Sequence, residues 1–253
     1  MASEVLSKII TTRLTNLGLE PLRLPLGSQP SDPHVVTYLT KNISDASRVV
    51  LVFGEPRQPF GYIAARTIRG EGGIDKGSMV GLTRSLLQQS SFSWDPSPPG
   101  VILANTGELW WWPEGRRSLT QECRMGIPLP SAVHLPRRHD DSKNSIPRNR
   151  TTAEHVQYVF EEVLPTALNK KAKLDVIAVG DAADEVEKYL NNDEVWKNIR
   201  SRMNSMAVMG GFYESKDFVC KGFKEFMQDV SEPWRQRWQV LTETASSRLR
   251  RPH

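Results

Sequence analysis

Only two cysteines, Cys123 and Cys220, occur in the 253 residues, and neither belongs to a C-x-x-C pair. A disulfide framework is therefore not expected, and a reducing compartment fits best. No stretch approaches the roughly 18 apolar residues of a membrane span. The opening "MASEVLSKII" has no basic region ahead of an apolar run, so no signal peptide is expected. Neither G-x-G-x-x-G nor a Walker-type loop is present, which removes two glycine-rich phosphate-binding fingerprints. A dominant charge is lacking too. The formal net charge is +4, and Arg248, Arg250 and Arg251 fall within the last six residues. The rest of the chain is close to neutral, and nucleic-acid binding does not follow from charge.

What is present suits one large domain, or at most two small ones. The chain is 38% hydrophobic and 25% charged, with seven Trp, eight Phe and five Tyr for a core. Residues 4–19 read as an amphipathic helix with Val5, Ile9 and Leu14 on one side. "GLEPLRLPLGSQPSDPH" is too Pro-rich for a helix or a central strand and reads as surface winding. "RVVLVFG" and "GVILANTG" are short apolar runs ending in glycine, as in strands buried on both faces. Between them, Asp75 to Ser90 reads as a helix capped by Ser78 or Asp75.

An irregular insert over about 108–150 follows, long enough to suggest a role. "TTAEHVQYVFEEVLPTAL" is the clearest helix: Val156, Val159, Phe160, Val163, Leu164 and Ala167 keep helical spacing, and Thr151 with Glu154 forms a capping box. Then come the strand "LDVIAVG", a helix from about Ala183, and a strand at Met206 to Gly210. This alternation implies an α/β protein, a mostly parallel sheet with helices on both faces. Its ligand site belongs beyond the carboxyl ends of the strands, beside Gly54, Gly107, Gly180 and Gly210.

The strand–turn–helix "LDVIAVGDAADEVEKYL" invites comparison with the G-x-S-x-G nucleophile elbow. Aligned on its first glycine, the elbow reads Gly180, Asp181, Ala182, Ala183, Asp184, with Ala182 in the nucleophile slot. Asp181 and Asp184 suit the first turn of a helix, where its dipole favours acids by about 0.3–1 kcal/mol each. The base is missing as well, since only His253 follows the turn; His34, His134, His139 and His155 precede it. Cys123, His134, His139, Asp140 and Asp141 share the insert without metal-ligand spacing, so neither a metal nor a cofactor is expected.

Several phrases in order, "RVVLVFGEP", "AARTI", "GGIDKGSMV", "VILANTGELWWWPEG", "PSAVHLPRR", "NSIPRN", "AEHVQYVFEEVL" and "LDVIAVGDAADEVEKYL", resemble the Argonaute-binding "Arb two" domain family over roughly residues 30–230. The resemblance implies an α/β-hydrolase-like fold and a place in heterochromatic silencing. The implied partners are Argonaute complex subunits or a histone deacetylase. The nucleus is the expected location, with the cytoplasm second. The ending "QDVSEPWRQRWQVLTETASSRLRRPH" departs from the family pattern, so the C-terminal part reads as incomplete. The expected division is an N-terminal helix and Pro-rich lead-in (1–30), the domain (31–230) and a basic tail (231–253).

The function expected is a non-catalytic protein-interaction module. Its surface is sought at Trp110, Trp111, Trp112, Arg116 and Arg117, because three consecutive Trp cannot all face one side and exposed Trp beside Arg suits a binding hot spot. The alternative is an unconventional esterase using Ser78, against which stands its simpler role as a helix cap. A third reading, nucleic-acid contact through Arg116, Arg117, Arg137, Arg138, Arg148 and Arg150 with tryptophans nearby, is not favoured, because such charges usually form a solvated face.

Overall fold

The computed structural model describes residues 2–128, 131, 138–210 and 217–229. Its eight strands are β1 (Leu19–Leu24), β2 (Val35–Thr40), β3 (Arg48–Phe53), β4 (Gly100–Ala104), β5 (Trp110–Trp112), β6 (Arg117–Leu119), β7 (Lys173–Val179) and β8 (Met203–Met209). Six form one sheet in the order β1-β2-β4-β3-β7-β8, while β5 and β6 form a separate hairpin. β4, β3, β7 and β8 run parallel; β2 is antiparallel to both neighbours. The helices are α1 (Ala2–Asn16), α2 (Ala65–Ile68), α3 (Gly73–Gly77), α4 (Met79–Leu87), α5 (Gln121–Met125), α6 (Asp141–Asn144), α7 (Thr152–Tyr158), α8 (Leu164–Ala167), α9 (Asp181–Leu190) and α10 (Asp193–Ile199). A further helix spans 221–229.

Side-chain alternation along the central strand builds two cores. Val49, Leu51 and Phe53 of β3 point into the layer containing α7, α9 and α10; Val50 and Val52 point into the layer of α1 and α4. β4 divides likewise, with Ile102 and Ala104 on the first side and Val101 and Leu103 on the second. Residues i and i+2 of a strand share a face, so a run without polar residues fits only a strand covered on both sides. The fold is α/β-hydrolase-like, as expected.

Several expectations are corrected in detail. The inner face of α1 is Ile10 and Leu14, both fully buried, whereas Val5 is 58% exposed. The i, i+4 row of Leu6, Ile10 and Leu14 describes this face better than Val5, Ile9 and Leu14. The Pro-rich lead-in contains a strand, which tolerates Pro21 because β1 is an edge. No boundary falls at residue 30: β1 pairs with β2 along its whole length, and α1 packs into the same core as α4. The helix expected over Asp75–Ser90 breaks into α3 and α4 at Ser78, whose extended backbone caps α4. The helix over 152–167 is continuous but widens to a π-helix over Val159–Val163, just before Pro165. Proline has no N–H to donate one turn back, and the wider turn accommodates that gap. Thr151 caps this helix, yet Glu154 turns to the N–H and guanidinium of Arg150, so only half of the capping box forms. The basic tail lies outside the described residues.

The other end of the sheet is held by a buried charge. Asp175 on β7 accepts from Arg48 Nε at 2.5 Å, Asn204 Nδ2 at 2.6 Å and Ser205 Oγ at 2.7 Å. These groups link β3, β7 and β8.

Candidate functional site, a degenerate elbow

β3, β7 and β8 end in Gly54, Gly180 and Gly210, while Gly107 follows β4 after a short loop. Gly180 has φ 62° and ψ −140°, and its N–H donates to the Met209 carbonyl at 2.7 Å. Side chains rarely adopt that backbone conformation. α9 begins at the next residue.

This geometry corrects the alignment made from sequence. In a nucleophile elbow, the strained residue between strand and helix carries the reacting oxygen. Here that residue is Gly180, and the flanking small residues are Ala178 and Ala182. Both are fully buried, so Ala182 packs under the first turn of α9 instead of standing above the sheet. The motif is therefore Ala178-Val179-Gly180-Asp181-Ala182, two residues earlier than "GDAAD". Asp181 and Asp184 lie in the first turn of α9, as expected of helix N-terminal acids.

The space a side chain at Gly180 would need is filled by another residue. A Cβ built there would lie 1.4 Å from Glu55 Oε2. Glu55 follows the end of β3, and its other carboxylate oxygen accepts from the Arg57 N–H at 3.3 Å. The Arg57 guanidinium reaches across to Asp181 at 2.8 Å, both side chains being solvent-accessible. This ion pair contributes little stability.

The neighbouring space is equally restricted. A Cβ on Gly107 would lie 2.3 Å from the Gln58 carbonyl, so the loops after β3 and β4 are in backbone contact. The cavity between them, lined by Gly54, Glu55, Tyr62, Met79 and Asn105 among others, measures about 10 Å³. That is room for a single water. Alongside, Glu108 accepts from Phe60 N and Asn105 Nδ2, and burial pushes its carboxyl above the usual range.

The other candidates lie elsewhere. Ser78 is 1% exposed; its Oγ donates to the Ile74 carbonyl at 2.6 Å and accepts from Val80 N at 3.2 Å, as a helix cap does. His34 bonds the Asp32 carbonyl, His139 bonds Asp141, and His155 Nδ1 meets Asn149 Oδ1 at 2.7 Å. None of these bonds reaches the elbow. Among the described residues, no three His, Cys, Asp or Glu side chains converge as metal ligands; His134 and His253 lie outside them.

His155 is fully buried, Nε2 lacks a hydrogen-bond partner, and burial lowers its pKa to about 3. The unfolded chain, with an ordinary histidine near 6.5, takes up the proton first, so stability falls as pH drops from 6.5 toward 3. Between pH 7 and pH 5 this linkage amounts to about 2 kcal/mol. In urea titrations the stability difference between wild type and His155→Gln should shrink by about that amount over the same interval. A difference independent of pH would contradict the assignment.

The three tryptophans pack instead of forming an open patch. β5 alternates as expected, with Trp111 opposite its neighbours. Trp111 enters the core beside His34, with ring centroids 4.9 Å apart, and is 3% exposed. Trp110 is 7% exposed beneath the Arg124 guanidinium. Trp112 is half-buried under Arg117 and against Gly115. Trp110 and Trp112 thus lie under guanidinium groups and Trp111 in the core, while beside them Arg116 is exposed and Arg117 pairs with Glu4 at 2.7 Å.

The most prominent exposed aromatic, in "SSFSWDPSPP", was not singled out by sequence pattern. Trp94 is 72% exposed and stacks on Phe92 at 5.0 Å. Reciprocal Phe92–Asp95 backbone bonds close this turn, and Asp95 braces it to Ser47 and Ser97. A contact made at so braced a tryptophan would lose little ordering entropy.

Among the described residues, no helix is long and apolar enough to cross a membrane. The sequence matches none of the curated proteins. The family model for the Arb2 domain matches residues 1–236, nearly the whole chain, and the protein belongs to the Arb2 domain family.

Proposed function

We propose that this protein is a non-catalytic interaction module of a heterochromatin or RNA-silencing complex, nuclear in location, with Argonaute complex subunits or a histone deacetylase as partners. Family membership is consistent with that setting. The observation that carries the non-catalytic part is Gly180: the slot for a nucleophile has no side chain, and the Glu55 carboxylate lies in its place. With the reacting group gone, selection on a retained fold acts through its surface. The Phe92–Trp94 turn and the Arg116–Arg117 rim are the surfaces to probe first.

Tagged protein purified from its native cell in nuclease and high salt should carry silencing-complex proteins at stoichiometric levels. Trp94→Ala should reduce their recovery at least about fivefold while shifting stability by no more than about 0.5 kcal/mol, because the ring is exposed. Recovery of no specific protein by soluble wild type would contradict the proposal. Full recovery with Trp94→Ala would move the contact to the Arg116–Arg117 rim.

A further inference from the structure

Ser97 is the one Ser or Thr of the 253 residues that is followed by proline. It lies in the connection between α4 and β4, flanked by Pro96 and Pro98, and all three are exposed. A proline disfavours helical backbone in the residue before it, so Ser97 is biased to an extended form. Pro98 also carries no N–H. An enzyme that receives the residue after the serine in an apolar pocket buries no unpaired donor when that residue is proline, and does so with any other. An exposed serine ahead of proline is what a proline-directed protein kinase selects.

The same hydroxyl helps brace the turn that exposes Trp94. Ser97 Oγ donates to Asp95 Oδ1 at 2.5 Å, and the Ser97 backbone N–H donates to that oxygen at 3.0 Å. The other carboxylate oxygen accepts from Ser47 Oγ, just before β3. The hydrogen bonds from Ser47 and Ser97 hold the Asp95 carboxyl below the ordinary carboxylate range, and no cation contributes. Arg48, which reaches the Ser90 carbonyl beside the turn, is engaged by Asp175. A phosphoryl group on Ser97 would remove the O–H donor and set about −1.5 to −2 charges beside Asp95 at pH 7. With no cation in the brace to offset them, the like charges repel and the brace opens.

We propose that Ser97 is a phosphorylation site for a proline-directed protein kinase, and that the phosphoryl group loosens the brace holding the Phe92–Trp94 turn. In the transfer, Ser97 Oγ bonds to the γ-phosphorus of ATP, and the bond from that phosphorus to the β-phosphate oxygen breaks. ADP leaves, and the hydroxyl proton passes to the base of the kinase. The site stands apart from the interaction module; as a control on partner binding it rests on the Trp94 contact proposed above.

The test incubates the whole chain with a purified proline-directed kinase and ATP and measures its intact mass. One phosphoryl group should be added to wild type and none to Ser97→Ala. Pro98→Ala should be modified about tenfold more slowly, as burial of an unpaired N–H predicts. Amide hydrogen exchange over residues 90–97 should then be about tenfold faster in the phosphorylated chain, as loss of a charged hydrogen bond predicts. Exchange in β3, β4 and β7 should stay unchanged. An unmodified mass, or an addition that survives Ser97→Ala, would overturn the site. Unchanged or slower exchange over residues 90–97 would overturn the loosening of the turn. Neither readout involves a partner, so failure here is distinct from failure of the Trp94 contact.

Discussion

Replacing Gly180 with alanine should lower the free energy of unfolding by about 2–4 kcal/mol, measured by urea denaturation. Two effects combine. The φ of 62° and ψ of −140° strain any residue bearing a Cβ, and that Cβ would lie 1.4 Å from Glu55 Oε2. The carboxylate is the far end of a flexible side chain and swings aside, so the backbone term dominates. Glu55→Ala removes the overlap without relieving the backbone. Alanine at Gly180 should therefore cost about 1 kcal/mol less in the Glu55→Ala background than in wild type. Equal costs in both backgrounds would show that the carboxylate does not fill the slot. Gly180→Ser should carry a similar penalty and gain no turnover, because none of the described histidines' hydrogen bonds reaches this turn.

Asp175→Ala should destabilise the fold still more, by about 3–5 kcal/mol. Removing one partner of a buried ion pair strands the other charge. The Asp175 side chain is 5% exposed and that of Arg48 19%. Alanine would leave the Arg48, Asn204 and Ser205 donors without this acceptor at the seam joining β3, β7 and β8. A replacement by leucine should cost less if combined with Arg48→Met, since an apolar pair leaves no stranded charge. A loss below about 1 kcal/mol for Asp175→Ala would show that solvent reaches the pair freely.

Most of the parallel sheet was legible in the sequence because β3 from Val49, β4 throughout and β7 from Val176 are apolar on both faces, a pattern few other structures permit. The edge was not. β1 carries Glu20, Pro21 and Arg23, residues that discourage a strand assignment and are tolerated where one side of a strand is unpaired. The elbow was legible as a turn but not in register. Gly180 and the two alanines after it satisfy either alignment, and only the backbone angles place the strained residue. The part played by Glu55 was not readable either, because it depends on two loops meeting that lie far apart in sequence. Glu187 was hidden for a related reason: it occupies a core position of α9, and burial, then Asp184, pushes its carboxyl up to about 7. The tryptophan run gave the correct alternation but not the burial, because what covers it, Arg124 over Trp110, His34 beside Trp111 and Arg117 over Trp112, comes from other elements of the fold.

The most direct test of the central claim is reaction of the purified chain with a fluorophosphonate, followed by intact-mass measurement beside a turnover assay on simple esters. With glycine in the nucleophile slot and Ser78 engaged as a cap, the account predicts an unchanged mass and hydrolysis no faster than with heat-denatured protein. A stoichiometric adduct on the native chain, with ester turnover abolished by Ser78→Ala, would contradict it and establish the esterase alternative.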